Sequence, residues 1–138
     1  MVVRRTLSPL VDGASSESIL ALRVVDPAMG SGACLVAACR FLADAYERAV
    51  IAEGRCGEAD VDDDTRADFR RLVAERCLAG VDSNPTAVHL ARLSMWLTSL
   101  AKGRPLGFLD HRLRTGNSLV GATPEDLHRA PHARRSTI

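Results

Sequence analysis

The sequence predicts an α/β fold, half of a doubly wound parallel sheet, and three observations predict it. Short runs with the character of buried strands, Leu22–Val25, Leu78–Asp82 and Leu113–Thr115, alternate with segments of helical periodicity. Each run is followed by polar or glycine residues, at Asp26 to Gly32, at Asp82 and at Asn117, where such folds turn out of the sheet. With 138 residues and 46% hydrophobic content, the chain has the length of one domain and can bury a useful core. Aromatic residues make up only 4%, so Leu, Val and Ala must build that core, as in many helix-flanked sheets. No internal repeat is present, and the crossovers between parallel strands should be right-handed.

The elements follow in order. Residues 1–18 are polar, with Pro9, Gly13 and the cluster Ser15-Ser16-Glu17-Ser18, and read as an irregular lead-in with a short helical turn. The ordered unit spans 19–122. Its first strand, Leu22–Val25, ends at Asp26-Pro27, because proline cannot continue a ladder. The glycine turn Ala28-Met29-Gly30-Ser31-Gly32 comes next. From Ala33, apolar residues at Leu35, Cys39, Leu42, Tyr46 and Ala49 fall on one face of a helix. Gly54 to Asp64, glycine-bearing and acidic, reads as an exposed loop. Thr65 is the expected N-cap of a second helix carrying Phe69, Leu72, Val73 and Cys77 on one side. After the strand Leu78–Asp82, Asn84 caps a third helix with Pro85 at its first position, where the missing N–H has no partner to lose. Apolar residues from Ala87 to Leu100 cover most of that helix's circumference, which predicts a mostly buried helix. Gly103 to Gly107 reads as a turn, Leu113–Thr115 as the third strand, Gly116-Asn117-Ser118 as the turn after it, and 123–138 as a polar, basic tail.

Composition excludes several function classes. Lys and Arg number 18 against 17 Asp and Glu, a formal net charge of +1, so no whole-chain field draws nucleic acid or anionic lipid. The cysteines Cys34, Cys39, Cys56 and Cys77 lack CxxC spacing and a companion histidine motif, which speaks against zinc and a disulfide framework and for reduced thiols in a cytoplasm. No apolar run approaches the ~20 residues of a membrane helix, and the first 18 residues lack the apolar region of a signal peptide. The acidic run at 58–64 lacks the Asp, Asn, Gly and final Glu positions of a calcium loop. His128 and His132, with Pro131 between them, read as solvated tail residues rather than metal ligands. Arg129, Arg134 and Arg135 read as a solvated tail, and Met95 and Trp96 as core. Ser31 lacks the elbow motif of a nucleophilic serine.

Ligands of doubly wound sheets bind beyond the carboxyl ends of the strands. There the glycines of the first turn let a backbone approach a ligand closely, and free N–H groups at a helix start favour an anion, a pyrophosphate or a carboxylate. Asp82 is placed like the acid that accepts hydrogen bonds from both ribose hydroxyls. A dinucleotide fingerprint would need glycine or alanine where Leu35 stands, and the separation of Asp26 from Asp82 far exceeds the ~20 positions of a nicotinamide site.

The segment Asp26-Pro27-Ala28-Met29-Gly30-Ser31-Gly32-Ala33-Cys34-Leu35 resembles motif I of amino-methylating DNA methyltransferases, close to D-P-A-x-G-S-G-x-F-L, with Cys34 in place of the common Phe. Gly80-Val81-Asp82-Ser83-Asn84-Pro85 resembles the family's G-x-D-x-N-P motif. Phe108-Leu109-Asp110-His111 and Gly116-Asn117-Ser118-Leu119-Val120-Gly121 resemble the F-L-D-H and G-N-S-L-x-G segments of type IIG and phage-exclusion restriction-modification enzymes. The blocks stand in family order across 19–122. The resemblance implies a partial Rossmann-like methyltransferase domain binding S-adenosyl-L-methionine: Asp26, with Pro27 and Ala28 beside it, near the methionine ammonium, and the Gly30-Ser31-Gly32 backbone along the methionine. It further implies Asp82, with Ser83 next to it, on the ribose and Asn117 on the adenine edge, an amide being able to donate and accept.

The family's catalytic Asn/Asp/Ser-Pro-Pro-aromatic turn has no counterpart, since the chain contains no Pro-Pro dipeptide, and a Y-T-P type motif ahead of the first strand is also absent. A target-recognition domain, needed to extract a base, does not fit within this length. The expectation is therefore a cofactor-binding part of an adenine-N6 DNA methyltransferase without catalysis of its own. DNA would be a partner only of the complete enzyme, and self-association or a partner chain is expected at the open sheet edge. Two alternatives stand beside it: a non-catalytic module completing a split methyltransferase, and a nicotinamide-binding half-domain.

Overall fold

The computed structural model describes residues 2–99 and 106–119. In chain order they form α1 (Val2–Val11), α2 (Ser16–Ala21), β1 (Val24–Asp26), α3 (Ala33–Ala52), a 3-10 turn at Glu58–Asp60 and α4 (Asp63–Cys77). Then come β2 (Leu78–Asp82), α5 (Pro85–Ser99), a second 3-10 turn at Leu106–Leu109 and β3 (Leu113–Thr115). The fold is α/β, with one parallel three-stranded sheet in the order β1-β2-β3. Val24 pairs with Leu78 and Gly80 with Leu113, so β2 is the middle strand and β1 an edge.

Because the order runs without reversal, both crossovers deliver their helices to the same face. There α3, α4 and α5 pack on one another and on the strands. Leu78, Gly80 and Leu113 are buried on that side against Leu35, Cys39, Leu42, Val73, Val88 and Met95. Side chains alternate across the sheet, so Val25, Ala79, Val81 and Arg114 point the other way. Val25 is 63% exposed, while Ala79 and Val81 are half-buried. A parallel sheet is ordinarily covered on both faces; here the described residues cover one.

The structure corrects several expectations. Residues 2–11 are not irregular but helical, despite Pro9 inside the helix. Val3, Leu7 and Val11 recur every four residues, and burial of Leu7 and Val11 against α3 outweighs the single backbone hydrogen bond that proline removes. The short helical turn expected after the lead-in is present as a second helix at 16–21, capped by the Ser15 side chain accepting from Ser18 N–H at 3.2 Å. The first strand sits two residues later than expected at its start. Helix α4 begins earlier: Asp62 is its cap, with Oδ1 accepting from the Thr65 N–H at 2.8 Å and the Thr65 hydroxyl at 2.6 Å. An acid here also complements the helix's positive end.

Helix α5 is less buried than its composition implies. Val88, Ala91 and Met95 face the core, whereas Leu90, Leu93 and Leu97 lie 41–55% exposed on its outer side. The helix packs on the sheet along one stripe only. Asn84 caps it as expected, Oδ1 accepting from Thr86 N–H at 3.0 Å. Arg92 fastens it to β3, donating from Nη2 to the Leu113 carbonyl at 2.7 Å and pairing with Asp110 at 3.1 Å. Most of the turn expected at Gly103 to Gly107, the end of the block at Val120-Gly121 and the tail from Thr123 lie outside the described residues. No helix among the described residues is long and apolar enough to cross a membrane.

Candidate functional site

At the carboxyl ends of the three strands lies a cavity of about 260 Å³, bordered by three short stretches: Pro27-Ala28, Asp82-Ser83 and Gly116 to Leu119. Each stretch leaves a different strand, and parallel alignment brings them together although they are far apart in sequence. Of the residues singled out from sequence, Pro27, Ala28, Asp82, Ser83 and Asn117 border it. Asp26, Gly30, Ser31 and Gly32 do not.

Asp82 organises the site. Its Oδ1 accepts the Asn84 N–H at 2.8 Å, and its Oδ2 accepts the Gly30 N–H at 2.9 Å. The second bond spans two strands and ties the glycine turn to the end of β2. These N–H donors, Asn84 foremost and then Gly30, hold the Asp82 carboxyl below the usual carboxylate range. It is therefore an anion at neutral pH, and each oxygen keeps a further lone pair for an outside donor.

The glycine turn is built for packing more than for ligand approach. Gly32 has φ +84° and is buried; a Cβ there would stand 3.1 Å from both Cα and Cβ of Ala91, so glycine lets the start of α3 close against α5. Gly30 has φ +53° with open space around it, so its requirement is conformational alone. The intervening Met29 is buried, and its N–H donates to the Val81 carbonyl at 3.1 Å. Gly80 makes room for it: a Cβ on Gly80 would overlap Met29 Sδ and lie 2.8 Å from Leu35 Cδ1. The expected approach of a ligand to the Gly30 and Gly32 backbone thus meets one N–H already bonded to Asp82 and one buried residue. Ser31 is exposed, and α3 starts without a side-chain cap, which leaves its first N–H groups open.

Asp26 and Asn117 each make a local turn. Asp26 Oδ1 accepts from Ala28 N–H at 3.1 Å, and Asn117 Oδ1 accepts from Leu119 N–H at 3.0 Å. The Asn117 amide nitrogen is left to donate. Gly116 and Ser118 also border the cavity and were not singled out; their position directly after a strand was the available signal.

Among the described residues, no group of three or more His, Cys, Asp or Glu is arranged to hold a metal ion. All four cysteines are free, with Cys39 and Cys77 buried, Cys56 half-buried and Cys34 exposed. Burial pushes the Cys39 thiol up to about 12 and raises that of Cys77, so neither is suited to act as a thiolate. Compared with known proteins, the chain matches no family model, no curated protein and no solved structure.

Proposed function

We propose that the chain is the S-adenosyl-L-methionine-binding part of a site-specific adenine-N6 DNA methyltransferase of a restriction-modification system, with a Rossmann-like fold and no methyl transfer of its own. The observation that supports this reading is the carboxyl-end cavity, where Pro27-Ala28, Asp82-Ser83 and Asn117, drawn from three separate sequence blocks, meet. Its volume, about 260 Å³, lies just below the ~300 Å³ at which cavities for small ligands begin. That suits the nucleoside portion of the cofactor better than the whole. The donor set fits the same portion: two free lone pairs on an ionised Asp82 match two vicinal ribose hydroxyls, and the Asn117 amide nitrogen can donate to an adenine ring nitrogen. The open N–H groups at the start of α3 suit the methionine carboxylate. The cofactor supplies the reactive methyl group when bound; these residues bind and orient it. The chain contains no Pro-Pro dipeptide, so the proposal assigns it cofactor binding and not the chemical step.

The exposure of Val25 on edge strand β1 favours one variant of the reading, in which the chain completes a split enzyme and a second chain covers that residue.

Calorimetric titration with S-adenosyl-L-methionine and with NAD, on the wild type and on Asp82→Ala, tests the proposal. Saturable binding of the first ligand, weakened by the substitution while circular dichroism is unchanged, supports it. A folded chain that binds NAD, or neither ligand, overturns it.

A further inference from the structure

At the opposite end of the sheet, the geometry points to a second binding site, an arginine-lined cleft for a phosphorylated small molecule. The cleft has a volume of about 790 Å³ and is bordered by four arginines, Arg23, Arg55, Arg76 and Arg112. Arg23 immediately precedes β1, Arg112 immediately precedes β3, and Arg76 is the penultimate residue of α4, two positions ahead of β2. Parallel alignment therefore gathers at the amino ends of the strands three cations that are far apart in sequence, as it gathers Pro27, Asp82 and Asn117 at the other end.

These charges are poorly matched. Over the whole chain, basic and acidic residues balance at 18 to 17, yet Glu17 is the one carboxylate bordering the cleft. Among the described residues, Arg55 pairs with Glu53 at 3.6 Å, whereas Arg23, Arg76 and Arg112 have no carboxylate within ion-pair distance. Arg23 is held in place by its own backbone, Nη1 donating to the Leu20 and Leu22 carbonyls at 3.1 and 3.0 Å. The Nε of Arg112 is buried without an acceptor. An anion seated in the cleft would supply the missing counter-charge.

The chemistry of the walls narrows the ligand. Guanidinium groups present paired N–H donors that match phosphate oxygens two at a time. Leu20, Tyr46 and Leu72 form apolar walls beside them, room for a carbon skeleton attached to the phosphate. The volume falls within the ~300–1,000 Å³ of small-molecule sites. The site lies at the far end of the strands from the carboxyl-end cavity and does not depend on what occupies that cavity.

Calorimetry with inorganic pyrophosphate at low salt, on the wild type, Arg76→Gln and the double variant Arg76→Gln/Arg112→Gln, is the test. Arg76 is exposed, so its single variant remains informative if the double variant folds poorly. Saturable binding that weakens about tenfold or more in Arg76→Gln, with unchanged circular dichroism, is expected. Absence of saturable binding by the folded wild type, or equal affinity in Arg76→Gln, overturns the proposal. A short DNA duplex that binds more tightly than pyrophosphate also overturns it, and would make the cleft a nucleic-acid contact.

Discussion

The carboxylate of Asp82 accepts the backbone N–H of Gly30 at 2.9 Å, across 52 positions of sequence. This bond joins the turn after β1 to the end of β2, and the cavity at the carboxyl ends depends on both. Removing the acceptor frees the Gly30 and Asn84 N–H groups together. Asp82→Ala, which removes both oxygens, is therefore expected to lower the melting temperature and, on the proposed reading, to weaken S-adenosyl-L-methionine binding more than Ser83→Ala does. Equal effects of the two substitutions, by scanning fluorimetry and calorimetry, would show that Asp82 does not organise the site.

Acid should weaken the fold through three carboxyls. The Ser16 hydroxyl and N–H, at 2.7 Å each, hold Glu53 low; the Thr65 hydroxyl and N–H hold Asp62 low; Asn84 and Gly30 hold Asp82 low. A carboxyl whose folded pKa is depressed stabilises fully above its unfolded pKa, and that contribution disappears as pH falls through the folded value. Stability should thus be level near neutrality and decline below about pH 4. Urea midpoints measured against pH should show a shallower decline for Glu53→Gln, which has already lost its share.

Gly32 and Gly30 should respond differently to the same substitution. Both hold a positive φ, which costs an alanine roughly 1–2 kcal/mol. Gly32→Ala also drives a Cβ to 3.1 Å from two atoms of Ala91, adding about 1–3 kcal/mol of overpacking, while Gly30→Ala meets open space. Chemical denaturation should rank Gly32→Ala well below Gly30→Ala in stability. The reverse order would mean that α3 does not close on α5 at this point.

Thiol labelling should divide the cysteines. Cys34 is exposed and Cys56 half-buried, whereas Cys39 and Cys77 are buried with thiols raised by that burial. Native protein should react at Cys34 first and at Cys56 more slowly, with Cys39 and Cys77 released only by denaturant. Rapid reaction of all four without denaturant would indicate that the α3–α4 core opens readily.

The open face and edge of the sheet should drive association. Val25 lies on edge strand β1 and is 63% exposed. Sedimentation equilibrium should show mass rising with concentration, and Val25→Lys should shift the chain toward monomer, because a charged edge resists pairing. A wild type that stays monomeric and melts cooperatively above ~65 °C, beyond the usual mesophile range, would contradict this.

Features with local causes were legible in the sequence itself. The run Leu78–Asp82, the cap Asn84 with Pro85 behind it, the start of α3 after Gly32 and the strand Leu113–Thr115 carry their signals within a few residues, as caps, turn glycines and periodicity. Five of the nine singled-out site residues meet at one cavity for a related reason: residues just after parallel strands must converge. What depends on packing could be decided only by the tertiary structure. Helix α1 exists because its every-fourth-residue face finds α3, which Pro9 and polar neighbours concealed. Leu90, Leu93 and Leu97 are exposed because, among the described residues, α5 is packed on one side only, a fact that composition does not carry. Gly32 and Gly80 proved to be spaces kept for Ala91 and Met29, and the arginines before three strands became one cleft. Caps and periods act over one turn of chain; contacts such as Gly30 with Asp82 arise only when whole faces choose their partners.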